Sequence, residues 1–331
     1  MAAILITGGA GYIGSHVAWA AIDAGREVVI LDNLSSGLRA CAPAAARFHE
    51  GDIGAPGVLE AVFARHDIAA VMHFAGSIVV PESVADPLGY YRNNTLNSHR
   101  LISQALASGV RRFIFSSTAA VYAPTRNPRV EEDDPTGPLS PYGWSKLMTE
   151  QMLADAAAAH DLRYCALRYF NVAGADPEGR TGQCTPNATH LIKVAAQTAL
   201  GLRRELTIFG EDYDTADGTC VRDYIHVSDL ATAHLAALSY LEAGGGSEVI
   251  NIGYGRGASV REVLAAVERV SGQALPIRLG PRRPGDAPAL VAENAKLKAL
   301  LHWRPAHADL DAIVAAALTW EAKLDAGAHF G

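Results

Sequence analysis

The chain has few cysteines and scatters them. Cys41, Cys165, Cys184 and Cys220 form no C-x-x-C pair, and no histidine cluster stands at zinc-ligand spacing. A metal centre or a disulfide framework is therefore not expected, and the four read as reduced, mostly buried thiols. Aromatic residues are also scarce, at 7%, so the core has to be built from Ala, Val, Leu and Ile. Basic charge is not in excess: 28 Lys and Arg stand against 35 Asp and Glu, a formal net charge of −7. That balance excludes a general nucleic-acid or anionic-membrane surface and leaves room only for local phosphate sites. A run of about 18 uninterrupted apolar residues is missing, as is a leader with a charged start, an apolar stretch and a cleavage site. The expectation is a soluble, cytoplasmic protein with no membrane and no nucleic-acid partner.

What is present is a large apolar fraction, 49% of 331 residues, enough for a sizeable core in one large domain or two. The chain opens with an apolar run, Ala3 to Ile6, followed by Thr7-Gly8-Gly9-Ala10-Gly11-Tyr12-Ile13-Gly14-Ser15 and a helical pattern from Tyr12 to Ala24. Glycines at 8, 11 and 14 suit a tight reversal, a close backbone approach to a pyrophosphate and a close helix–strand contact. The pyrophosphate would rest on the helix N-terminus, where free N–H groups and the dipole favour an anion. A second apolar run, Glu27 to Leu31, ends at Asp32-Asn33 and completes a βαβ unit. A carboxylate there accepts hydrogen bonds from an adenosine ribose and repels a 2′-phosphate, so the spacing predicts NAD rather than NADP.

The rhythm repeats. Strand signals at Arg47 to Glu50, Ala69 to Phe74 and Arg111 to Phe115 alternate with helices over Val58 to Arg65 and from Asp86-Pro87 towards Ser108-Gly109. This predicts an α/β fold with a doubly wound parallel sheet of the Rossmann kind. His73-Phe74-Ala75-Gly76 and Ser116-Ser117-Thr118 then fall at carboxyl ends of strands, where such sheets bind ligands. After a polar loop from Ala123 to Leu139, Ser140-Pro141 opens a helix holding Tyr142 and Lys146, four apart and so on one face. A cation there would favour the phenolate and lower the tyrosine from its usual pKa of about 10, giving a phenol able to exchange a proton with a substrate hydroxyl.

Beyond Arg163 to Leu167 the sheet pattern weakens. Short elements alternate with long loops: a helix around Leu191 to Leu200, a strand at Leu206 to Phe209, a helix capped by Ser228-Asp229, a strand at Glu248 to Asn251 and a helix from Ser259. We expect a smaller α+β substrate domain threaded through the first, with residues 1–171 and the returning 221–254 binding NAD, and 172–220 and 255–331 binding substrate. Arg222 and Arg283 stand among turn residues, as guanidiniums gripping a diphosphate would, or as ordinary salt-bridge partners. Spacing does not show whether they converge.

The T-G-x-x-G-x-x-G turn, the Y-x-x-x-K pair and the Ser/Thr strand end resemble the extended short-chain dehydrogenase/reductase family. TGGAGYIGSH, LDNLS, EGDI, HFAG, PESV, FSSTAAVY, SPYGWSK, RYFNVAGAD, GTCVRDYIHVSDLA, NIGYG and RRPGD narrow the likeness to its UDP-hexose 4-epimerases, over nearly the whole chain. The resemblance implies a homodimeric isomerase with tightly held NAD that interconverts UDP-glucose and UDP-galactose through a 4-keto sugar. It implies Tyr142 as acid/base, Lys146 on the nicotinamide ribose and Thr118 on the sugar oxygen. Asp32, Asn33, Asp52 and Ile53 would hold the adenosine, and Tyr12, Ile13, Phe74, Ala75, Gly76, Asn93, Ser116 and Phe170 would line the cofactor. Asn171, Arg222 and Arg283 would hold the diphosphate, with Phe209 and Asp286 beside the uridine. Ile78 replaces a lysine of some relatives, Thr189-His190 an asparagine pair, and Leu290 a residue whose bulk decides on N-acetylated sugars. Related epimerases acting on N-acetylhexosamines or pentoses are the alternative. A dehydratase is disfavoured, because Ala119-Ala120 stands where it would need an acid/base pair.

Overall fold

The first strand, β1 (Ala3–Thr7), is buried along its whole length, as is β2 (Val28–Asp32). Apolar runs without alternation are what a parallel sheet covered on both faces requires. With β3 (Arg47–Glu50), β4 (Ile68–His73), β5 (Arg112–Thr118), β6 (Arg163–Tyr169) and β7 (Glu248–Ile252) they form one seven-stranded sheet in the order β7-β6-β5-β4-β1-β2-β3, all neighbours parallel. The order reverses at β1, so the carboxyl ends of β1 and β4 flank a crevice. The computed structural model describes residues 2–125, 127–185, 188–283 and 286–327. Pro186 and the Pro284-Gly285 step of the expected turn lie outside the described residues.

Successive side chains of a strand point to opposite faces, and the core divides accordingly. Ile4, Ile6, Val28 and Ile30 pack with Val17 and Ala21 of the helix Tyr12–Asp23 and with Leu230 and Ala237 of the helix Val227–Glu242. Leu5, Val29, Leu31, Phe113 and Phe115 face the helices Val58–Arg65, Asn97–Ala107 and Pro141–Ala159. Full burial of each such side chain contributes roughly 1.5–3 kcal/mol, so apolar packing rather than charge holds the three layers.

A second lobe is built on the strand Val221–His226, which pairs with Gly257–Ser259, Ala289–Ala292 and Asn171–Ala173. Arg129–Val130, inside the stretch read as a polar loop, pairs with Ala289–Ala292 and ties the two lobes together. Of residues 221–254, the helix Val227–Glu242 and β7 pack on the large sheet, whereas the strand Val221–His226 stays with the smaller one.

Three local features differ from expectation. The helix begun at Asp86-Pro87, with Asp86 capping Gly89 N at 2.9 Å, runs through a π-helical segment, Tyr91–Leu96, before Asn97–Ala107. A helix at Val80–Ala85 precedes it, unsignalled by any cap. The helix read as capped by Ser228-Asp229 begins one residue earlier, with His226 Nδ1 accepting from Ser228 N at 3.1 Å.

Candidate active site

The glycine turn closes over the end of β1 because nothing larger than hydrogen fits there. Gly8 has φ +72°, and a Cβ on it would stand 2.6 Å from Ala75 N; one on Gly14 would stand 2.2 Å from Gly8 O. Gly11 caps the helix Tyr12–Asp23 without a side-chain bond, and no carboxylate lies in its first turn. The first-turn amides thus keep their anion-binding capacity. Asp32 at the tip of β2 accepts from Ala10 N and Leu34 N, both at 2.8 Å, and so fixes the turn against the second strand. Asn33 Nδ2 donates to Asp52 Oδ2 at 2.8 Å, which joins the ends of β2 and β3 beside Ile53. Such a cradle, with a carboxylate at ribose distance along the chain and no basic side chain among the described residues lining that end of the cleft, fits an unphosphorylated dinucleotide.

At the end of β4, Phe74, Ala75 and Gly76 continue the same wall, and Asn93 Nδ2 donates to Ser77 Oγ at 2.8 Å. The sequence reading missed Asn94. Its side chain accepts from Ser77 N at 2.8 Å and donates to Ser145 Oγ at 3.0 Å, so it binds the loop after β4 to the helix that carries Tyr142. The π-helical turn swings it inward. Two adjacent asparagines, poor helix formers in mid-helix, were the available signal.

Ser140 accepts from Gly143 N at 3.2 Å and starts the helix Pro141–Ala159, which brings Tyr142 and Lys146 to one cleft with Ser116 and Thr118. Burial raises the Tyr142 phenol above its ordinary value, and the Thr118 hydroxyl beside it draws it back. Lys146 Nζ donates to the Ser116 carbonyl at 3.0 Å, and burial pushes its ammonium down to about 8. The four-residue spacing puts Lys146 on the helix face of Tyr142, with its ammonium meeting the Ser116 carbonyl.

Lys146 makes a prediction about stability. Its folded value, about 8, lies below the ordinary 10.5. The penalty of burying the ammonium is thus full below that folded value and is relieved as pH rises towards the unfolded one, where only the unfolded chain still holds the proton. Denaturant midpoints at pH 7 and pH 10 should show Lys146→Met stabilised relative to the parent at pH 7, with the gap narrowing at pH 10. A gap that widens with pH rules out this account.

Beneath the site, Ser117 donates to Glu150, and Arg168 grips the same carboxylate through Nε at 3.0 Å and Nη2 at 2.6 Å. Arg168 also donates to Glu132 O at 3.1 Å and lies over the Tyr122 ring at 4.9 Å. Strand end, helix and β6 are thereby clamped together.

The cleft, about 760 Å³, continues from the glycine turn past Tyr142 and Phe170 to Asn171, Arg222 and Leu290 in the second lobe. Arg222 Nη2 donates to Asp286 Oδ1 at 3.4 Å, while the Arg283 guanidinium stands 4.0 Å from the Phe209 ring centre. Phe209, Arg283 and Asp286 are not on the cleft wall; they form a cluster joined to it through Arg222. Ile78 and His190 do line it, His190 with Nδ1 2.7 Å from Gln183 Nε2 and its imidazole lowered by burial. Gln183 and Thr185, unmarked in the sequence, complete that wall. Among the described residues no cluster of His, Cys, Asp and Glu could hold a metal, and no helix is long and apolar enough to cross a membrane.

The chain as a whole is similar to proteins of known kind. The chain is 60% identical to a UDP-glucose 4-epimerase of Azospirillum brasilense over 97% of its length and 92% of that protein's. It superposes with TM-score 0.93 and 42% identity on a UDP-glucose 4-epimerase from Brucella ovis in complex with NAD, covering 96% of this chain and 98% of that one. A UDP-Glc/GlcNAc 4-epimerase from Campylobacter jejuni matches with TM-score 0.86 and 48% identity, over 98% of this chain and all of its own. With residues 4–253 also matching the model of the NAD dependent epimerase/dehydratase family, the chain that carries this glycine cradle and tyrosine belongs to that family.

Proposed function

We propose that the protein is a UDP-hexose 4-epimerase that interconverts UDP-glucose and UDP-galactose. The observation that carries this reading is a single cleft with the glycine cradle at one end, the Tyr142–Thr118 pair in the middle and Arg222 at the other. Gly8, Gly11 and the amides of Tyr12, Ile13 and Gly14 would hold the NAD pyrophosphate; Asp32, Asn33, Asp52 and Ile53 its adenosine; and Phe74 to Gly76, Asn93, Ser116, Lys146 and Phe170 the remainder. When bound, NAD supplies the hydride acceptor and donor that the chain itself lacks, so the net redox change is zero. Tyr142 as phenolate would accept the proton of the sugar 4-hydroxyl and later return it to the same oxygen, after the sugar has turned its other face to the cofactor. Thr118 holds the same sugar oxygen, and Lys146, once turned from Ser116 to the ribose, supplies the cation that favours the phenolate. Asn171 and Arg222 on the cleft wall would hold the diphosphate while the sugar turns about it, with Arg283, Phe209 and Asp286, the cluster that adjoins the cleft through Arg222, reaching the diphosphate and uridine from that side.

The test is to incubate pure protein with UDP-galactose and no added cofactor and to follow the sugar H1 signals by NMR. UDP-glucose should form; its failure to form with bound NAD confirmed overturns the reading. Arg222→Leu should raise KM at least about tenfold, the loss of one charge-assisted contact worth about 1.5–3 kcal/mol, with a smaller change in kcat. Leu290, half-buried in the cleft wall in register with Arg222, favours a second reading in which N-acetylhexosamines are also accepted. UDP-N-acetylgalactosamine in the same assay decides it.

The partner that suits the surface is a second copy of the chain. Val84, Leu88, Leu96, Trp144 and Met148 are exposed on the helical region 80–107 and the helix Pro141–Ala159, with Leu88 at 77%. An apolar patch of this kind marks an interface. Sedimentation should give a homodimer, and Leu88→Asp a shift towards monomer. The cytoplasm, where nucleotide sugars and dinucleotides are at hand, is the proposed location.

A further inference from the structure

Two cysteines 143 positions apart meet behind the cleft. Cys41 ends the short turn Arg39–Cys41 that follows β2, and Cys184 lies in the loop between the strand Asn171–Ala173 and the helix Leu191–Ala199. Their Sγ atoms are 3.4 Å apart. Cys41 is buried and Cys184 half-buried, and both pack against Trp320 of the C-terminal helix Leu310–Asp325. Trp19 Nε1 donates to Cys41 O at 3.0 Å and holds that backbone in place. The residues on either side of Cys184, Gln183 and Thr185, line the cleft. The other two cysteines lack such a partner: Cys165 sits inside β6 within the apolar core, and Cys220 is buried in the second lobe.

We propose that Cys41 and Cys184 form a redox-reactive dithiol that a peroxide closes to a disulfide, tying the segment after β2 to the loop that carries Gln183 and Thr185 into the cleft. Hydrogen bonding from Cys184, with help from Thr181 and Gly182, lowers the Cys41 thiol below its ordinary value against the opposing effect of burial, which favours its thiolate. The thiolate attacks the peroxide O–O bond, forming a sulfenic acid and releasing hydroxide. The neighbouring thiol then attacks the sulfenic sulfur, an S–S bond forms, and the displaced oxygen leaves as water with the thiol's proton. The two thiols together lose two electrons, which the peroxide takes up. A thiol such as dithiothreitol reverses the step by exchange. Disulfides of reducing compartments are typically transient and regulatory, which suits a bond that spans two lobes beside a ligand cleft.

The experiment treats purified holoenzyme with hydrogen peroxide, alkylates the remaining thiols and maps peptides without reduction. Expected are an intact mass lower by two hydrogens, a Cys41–Cys184 linked peptide, and unmodified Cys165 and Cys220. The kcat/KM for UDP-galactose should fall severalfold and recover with dithiothreitol. Cys41→Ser and Cys184→Ser should each keep the untreated activity and lose both the mass change and the sensitivity. Four alkylatable thiols after peroxide, a stable sulfinic acid at either position, or inactivation that persists in Cys41→Ser would overturn the proposal. The mass readout is independent of the epimerase reading, whereas the activity readout rests on it, so the two can fail separately.

Discussion

Tyr142→Phe should abolish turnover, with kcat lower by about 10²–10⁴-fold, while NAD stays bound and KM changes little. The phenol lines the open cleft beside Thr118, and removing its oxygen deletes a proton acceptor without altering the ring's packing. The dinucleotide cradle is built from Gly8 to Gly14 and Asp32, so retention of the cofactor should be untouched. Absorbance and mass of bound dinucleotide, measured on the same sample as the NMR assay, separate the two effects. A variant that keeps a tenth or more of the parent rate removes Tyr142 from the role assigned to it.

Glu150→Gln should destabilise the fold by about 3–5 kcal/mol, the cost of stranding one partner of a buried ion pair. Both side chains are only 6% exposed, so water cannot take over from the lost carboxylate. The neutral amide leaves the Arg168 guanidinium uncompensated and turns one of the two acceptor oxygens shared by Arg168 and Ser117 into a donor, which loosens the hold next to Thr118. Some loss of kcat should accompany the lower denaturant midpoint, because the clamp sets the strand end against the helix of Tyr142. The double change Glu150→Met with Arg168→Leu should recover much of the stability, since no charge is then left buried. Unfolding free energies of the three proteins decide the matter, and a loss below about 1 kcal/mol for Glu150→Gln would count against the clamp.

The large sheet was legible because most of its strands are buried apolar runs with their own punctuation, the partly exposed edge strand β3 being the exception. Gly25 after the first helix, Asp32 after β2 and Ser259 with Glu262 at a capping box are local signals that local structure obeys. Legibility failed where tertiary contacts overrule local preference. The π-helical turn at Tyr91–Leu96 is set by Asn94 reaching Ser77 and Ser145, residues remote in sequence. The bridge from Arg129–Val130 to Ala289–Ala292 is likewise made by partners that no window of sequence contains, whereas the cap at His226 is local, an imidazole nitrogen accepting from the amide two residues on. At the site, motif spacing marked the glycine cradle and the helix face of Tyr142 and Lys146, yet it could not show that the Lys146 ammonium meets the Ser116 carbonyl once the helix docks. Nor could spacing show that Arg222 meets Asp286 while Arg283 stands over Phe209.

The late return of β7 to the first sheet has a consequence for biosynthesis. Until Glu248–Ile252 leaves the ribosome, β6 is an open edge with unpaired amides and carbonyls, and the face that Val227–Glu242 covers lies bare. The nascent chain must therefore carry an unfinished sheet through three quarters of its translation. A fragment stopped at residue 171 should be found with chaperones or in aggregates rather than as an independent nucleotide-binding unit.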